Sequence, residues 1–200
     1  MSSKPRIAVI VGTTRPTRWG HVPAEWIRSK IEEDGRMTAD ILDIASYELP
    51  FFDEPASNRW MPSKNPQAVK WQQDLAKYDG FVFLVAEYNH SLSGALKNAL
   101  DQAYKEWNRK PAAVVGYGGL GASRAVEHLR AIAVELHLVN VPNAVHLGGG
   151  EFRAVHPLGG GESTLADVEE KLNVGGMIDD LYWWAATLKP AREASQSEAA

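Results

Sequence analysis

The chain has 200 residues, 44% of them hydrophobic, a formal net charge of −4 and no cysteine. That length and apolar content suit one domain with a sizeable core and exclude a disordered chain. Without cysteine there are no disulfides, no thiolate catalysis and no cysteine-held metal centres, and the mild acidity speaks against the basic face of a nucleic-acid binder.

Any redox chemistry must therefore come from an organic cofactor. The opening MSSKPRIAVIVG has too short an apolar run for a signal peptide. No stretch approaches the ~20 apolar residues that span a bilayer. A cytoplasmic protein with no membrane or nucleic-acid partner is expected.

The first predicted strand is 6–11, nearly continuous in Ile, Val and Ala. A helical pattern over 22–33 then places Val22, Trp26, Ile27 and Ile31 on one face. A second strand is predicted at 38–43. The proline-rich, aromatic stretch 44–65 follows, with Phe51, Phe52 and Trp60 either in the core or at the lip of a pocket. Pro66 marks the first position of a helix over 66–77. The run 80–86 is a third strand, followed by an Ala- and Leu-rich helix over 94–107. A fourth strand covers 112–117, and a helix over 123–136 has Ser123 as its N-cap. The fifth strand is predicted at 139–146. A Gly-rich connection, 147–163, leads to a helix over 164–172 with capping-box spacing at Thr164 and Asp167. A last helical pattern resumes at Met177 and carries Trp183 and Trp184, expected in the core or at a subunit contact. The domain is expected to cover 1–190, with 191–200 as a disordered tail.

Strands buried on both faces and alternating with helices imply a parallel sheet in a three-layer α/β sandwich. Right-handed crossovers favour the five-stranded order 2-1-3-4-5. In such a sheet the ligand sits beyond the carboxyl ends of the strands, so the loops there carry the functional signal. The first is GTTRPTRWG at 12–20. Its threonine hydroxyls, Arg15 and Arg18, and the free amides of the next helix make a phosphate cradle. It lacks the GK[ST] of a P-loop and the G-x-G-x-x-G of a dinucleotide site. The second is EYNHSLSG at 87–94, whose backbone can meet the polar edge of a planar ring. His90 reads as a histidine at the surface or just behind the site, not as a proton donor, because nothing nearby is placed to orient its ring. The third, YGGLGASR at 117–124, brings glycine backbone close to the same edge. One ligand with an anionic end and a flat end fits all three, and flavin mononucleotide (FMN) is such a ligand. No carboxylate pair or histidine cluster with metal spacing stands out, and no residue is singled out as catalytic.

The motifs GTTRPTR, AEYNHSLSGALKNALD and YGGLGASRA together resemble the NADPH-dependent FMN reductases of the flavodoxin-like class, over roughly residues 5–147. The resemblance implies a flavodoxin-like fold and an NAD(P)H oxidoreductase. Hydride would pass from nicotinamide to flavin N5 and on to free flavin, a quinone or a similar acceptor in ping-pong fashion. A flavodoxin-like electron carrier is the alternative. By position, Thr13, Arg15 and Arg18, with the amides of Trp19 and Gly20, resemble the phosphate ligands. Glu87, Tyr88 and Asn89 resemble the ring-contacting loop, and Gly118, Gly119 and Gly121 the loop near the pyrimidine end. The family's two loop prolines are replaced by Ala86 and Ser93, and Thr17 stands where many members have glycine. The resemblance also implies a homodimer or homotetramer, with the aromatic lip and the 147–163 connection as candidate contacts.

Overall fold

The computed structural model describes residues 3–197. Its strands are β1 (Arg6–Val11), β2 (Thr38–Asp43), β3 (Gly80–Ala86), β4 (Pro111–Tyr117), β5 (Val139–Asn140) and β6 (Val145–Leu147). The sheet order is β2-β1-β3-β4-β5, with β6 also on β4, and every pairing is parallel. The expected 2-1-3-4-5 flavodoxin-like sandwich is the fold observed.

The helices are α1 (His21–Asp34), α2 (Pro66–Leu75), α3 (Gly94–Asp101), α4 (Ser123–Glu135), α5 (Gly149–Val155), α6 (Leu165–Val168) and α7 (Val174–Ser197). Side chains alternate across each strand, and this divides the core in two. Val9 and Val11 of β1 and Val82 and Leu84 of β3 face Ile27 and Ile31 of α1 and Met177 and Leu181 of α7. Ile10, Phe81, Phe83 and Val85 face the other way, onto Trp71, Leu96, Leu100, Trp107 and Leu129. The aromatic centre of that second layer is Trp107, fully buried, with its ring 4.8 Å from Phe81 and 6.0 Å from Trp71.

Several elements differ from the sequence expectation. The fifth strand, expected as one run over 139–146, is broken into β5 and β6. Between Ala112↔Asn140 and Val115↔Val145 the outer strand uses two more residues than β4. Pro142, which has no N–H to give a ladder, lies in that break. The helix expected over 94–107 stops at Asp101. There the Asn58 and Gln72 amides both donate to the Gln102 carbonyl, at 2.7 and 2.6 Å. The chain then turns, and Trp107 Nε1 donates back to the Leu100 and Ala103 carbonyls, both at 3.2 Å. Ala122, at φ 56°, takes the N-cap position expected of Ser123.

The Gly-rich connection contains α5. The 164–172 helix reduces to α6 and a 3₁₀ turn, although the Thr164–Asp167 capping box forms. α7 begins before Met177 and runs on through Pro190, so residues 191–197, expected as tail, are helical; residues 198–200 lie outside the described ones. Phe51, Trp60 and Trp183 are exposed, so none of them is core.

Trp107→Ala removes one of the two buried tryptophans of one core layer. It should lower the unfolding free energy by about 3–5 kcal/mol, read as a shift of the urea midpoint. A loss below about 1 kcal/mol would contradict the packing described.

Candidate functional site

β1, β3 and β4 end side by side, and their loops meet at that edge. Gly12 closes β1 and donates its amide to the Leu84 carbonyl at 3.1 Å. A Cβ at this position would lie 2.5 Å from that same oxygen, so only glycine lets the two backbones approach. The Ser93 hydroxyl donates to the Gly12 carbonyl at 2.6 Å and accepts from Leu96 N at 3.0 Å as the N-cap of α3. A proline at 93 has no hydroxyl and could make neither bond. The serine therefore ties the first loop to the third-strand loop directly.

The third-strand loop is a tight reversal. Tyr88 and Ser91 exchange backbone hydrogen bonds at 2.8 and 3.1 Å, with Asn89 and His90 both at positive φ between them. That is the geometry of a type I′ turn, which Asn tolerates well. The Glu87 carboxylate pairs with the Arg124 guanidinium from α4, and this pairing holds its pKa below the usual carboxylate range. Arg124 Nη1 also lies 2.8 Å from His90 Nε2. His90 is exposed, as expected, yet it is oriented after all, by a residue 34 positions away.

These loops enclose a cavity of about 140 Å³. Of the residues proposed from sequence, Thr13, Arg15, Arg18, Trp19, Glu87, Tyr88 and Gly118 line it. Gly20 stands at the N-cap of α1, which has no side-chain cap. Asn89, Gly119 and Gly121 do not line the cavity: Asn89 sits at the exposed tip of its turn, Gly119 faces open space, and Gly121 packs on His146.

Four lining residues were not anticipated: Ala86, Tyr117, Phe152 and His156. The Tyr117 hydroxyl is 3.5 Å from that of buried Thr13, and burial raises its pKa. Its place at the end of the fourth strand was the signal that could have marked it. Phe152 comes from α5 and His156 from its C-cap, and both rings pack on Trp19, at 5.7 and 5.2 Å. Burial, then the nearby Arg15 charge, lowers the His156 pKa. Its Nδ1 accepts from Leu158 N at 3.1 Å, which suits a neutral ring.

The two arginines are not equivalent. Arg18 pairs with Asp43 at the end of β2, which neutralises much of its charge. Arg15 lies over the Tyr88 ring, 5.5 Å from its centroid, and has no carboxylate partner among the described residues. Arg18 Nε and Tyr88 OH are buried without a protein partner. A larger groove of about 480 Å³ runs past the other flank of the loop, from Thr14 to Phe51 and Gly94, but it has no basic lining. Of the two, only the smaller cavity has arginines in its lining.

The family model for NADPH-dependent FMN reductases matches residues 5–151. An NAD(P)H-dependent FMN reductase of Nectria sp is 33% identical over 126 residues, 60% of this chain and 63% of that protein, so the match spans less than two thirds of that relative. An NADPH:quinone oxidoreductase of Arabidopsis thaliana is 41% identical, over 68% of this chain and 71% of the relative. An NADPH azoreductase of Bacillus sp. is 32% identical, over 72% and 77%. Among solved structures, the flavoenzyme NAD(P)H:(acceptor) oxidoreductase FerB from Paracoccus denitrificans superposes with a TM-score of 0.69. That likeness covers 92% of this chain and 98% of that one at 23% identity, and it concerns the fold. With three loop motifs meeting at one cavity and a family model spanning the sheet, the chain belongs to the NADPH-dependent FMN reductase family.

Proposed function

We propose that the protein is an FMN-dependent NAD(P)H oxidoreductase that reduces a small-molecule acceptor such as free flavin or a quinone. The observation that carries this is the cavity itself, where an unpaired Arg15 guanidinium meets the buried Thr13 hydroxyl and polar atoms that no protein group satisfies. Buried polar atoms without partners are costly, and a bound phosphate would answer the unsatisfied donors. The residues present therefore fit the anionic end of FMN. A cavity of about 140 Å³ is smaller than a typical cofactor site, so the planar end would use the open loops beside it.

Bound FMN would supply two-electron exchange between nicotinamide and acceptor. The protein's part is positional. Arg15 and the uncapped start of α1 would hold the phosphate, and Asp43 holds Arg18 in register. Trp19, Phe152 and His156 exclude water from the closed end. The Tyr88–Ser91 turn and Gly118 offer backbone to the ring's polar edge. The names of the relatives, which include FMN, quinone and azo reductases, support this class of reaction. A cytoplasmic homodimer or homotetramer belongs to the same reading, and the exposed Phe51 and Trp60 favour it.

Anaerobic NADPH added to the FMN-loaded protein should bleach the flavin absorbance within seconds. A band that persists with both NADPH and NADH would leave the electron-carrier alternative. Arg15→Ala should weaken FMN binding about ten- to a hundredfold, since a charge-assisted hydrogen bond contributes about 1.5–3 kcal/mol. Unchanged FMN affinity in an Arg15→Ala, Arg18→Ala double variant, by fluorescence titration, would place the phosphate elsewhere. Light scattering should give twice or four times the 22.0 kDa chain mass; a monomer would remove the oligomer from the reading.

A further inference from the structure

The opposite edge of the sheet, where the strands begin, has its own cavity of about 290 Å³. Lys110, the residue before β4, lines it and is only 7% exposed. Its ammonium donates to the Leu75 carbonyl at 3.1 Å and lies 5.3 Å from the Phe81 ring centroid. No carboxylate comes within ion-pair distance of it among the described residues. A buried ammonium with a single carbonyl partner lacks most of what water would give it.

The nearest candidate, Asp79, is already taken. Its carboxylate accepts from Lys189 at 2.9 Å, Arg192 at 2.6 Å and the Arg6 amide at 3.0 Å. Arg192, on the cavity wall, also gives its other Nη to the Arg109 carbonyl at 3.1 Å. The interior of this edge therefore holds three cationic side chains, Lys110, Lys189 and Arg192, against one carboxylate. Burial, then the Arg192 charge, pushes the Lys110 pKa down to about 8.

We propose that this cavity is a second ligand site, taking a small carboxylate anion against the Lys110 ammonium. The charge at the wall sets the class. Arg192 there is paired with Asp79; of the remaining charges beside Lys110, Lys105 is cationic and Glu106 and Glu193 are anionic. Those two carboxylates oppose a dianion, and one unpaired ammonium matches one negative charge. The volume is about ten times the ~30 Å³ share of a water molecule, which leaves room for a short carbon chain beside Tyr78. The site lies at the far edge from the cofactor cavity and does not depend on the function proposed above.

The test is a thermal-shift and calorimetric titration with butyrate, on FMN-loaded and FMN-free protein. Filling the first cavity with FMN separates the two sites. Saturable stabilisation by butyrate is expected in both forms, and Lys110→Met should abolish it. Binding should weaken as pH rises through about 8, where the Lys110 ammonium is lost; the other titratable groups around it are Tyr78, Asp79, Glu106, Glu193, Lys105, Lys189 and Arg192. In the unsubstituted protein, butyrate should slow acetylation of Lys110 by acetic anhydride at least tenfold, read by mass spectrometry, and leave exposed Lys70 unchanged. No butyrate binding, equal binding by Lys110→Met, or no protection of Lys110 would overturn the proposal. Tighter Lys110-dependent binding of inorganic phosphate would overturn the carboxylate assignment.

Discussion

Gly12 is gripped from both sides: its amide by the Leu84 carbonyl, its carbonyl by the Ser93 hydroxyl. These two bonds join the end of β1, the end of β3 and the start of α3 into one rigid edge. A parallel sheet brings its strand ends to a common level, but it does not lock the loops that follow. The glycine and the serine do that locking. Arg15 and Thr13 can then face Tyr88 and Tyr117 across a cavity of about 140 Å³.

Charge is distributed around this frame with a consistent logic. Where a cation must be held still, it has a carboxylate. Arg18 has Asp43, and Arg124 has Glu87. Both pairs link separate elements, β2 to the first loop and α4 to the third-strand loop, so they brace the edge more than they stabilise it. Arg15 has no acid partner among the described residues. The far edge repeats the pattern with a buried residue. Asp79 is saturated by Lys189 and Arg192 of α7, and Lys110 remains unpaired. α7 continues past Pro190 in the same region, and its basic side chains find an acid partner on the sheet.

Much of this was legible in the sequence. Run length marked β1, β3 and β4 because strands buried on both faces have little choice of composition, and alternation marked β2 at the sheet's edge. The phosphate loop was readable because arginines and threonines directly after a first parallel strand have few structural reasons to be there. The elements that were misjudged are those where a distant group decided the outcome. α3 looked helical to Trp107, but Asn58 and Gln72 take the carbonyl at its end. The expected tail after Pro190 is polar enough to suggest disorder, and Arg192 instead docks on Asp79. His90 seemed to have nothing to orient it, since Arg124 is 34 residues away.

The sequence by itself determined the layer order, the family and most of the cavity's lining. These follow from local periodicity and from motifs a few residues long. Only the tertiary structure decided which charges are paired and which are left free. It separated Arg15 from Arg18, brought Phe152 and His156 over Trp19, and left Lys110 buried beside an acid already in use. The reason is physical: a side chain's type is written at its own position, but its desolvation and its partners are set by residues that only folding brings near.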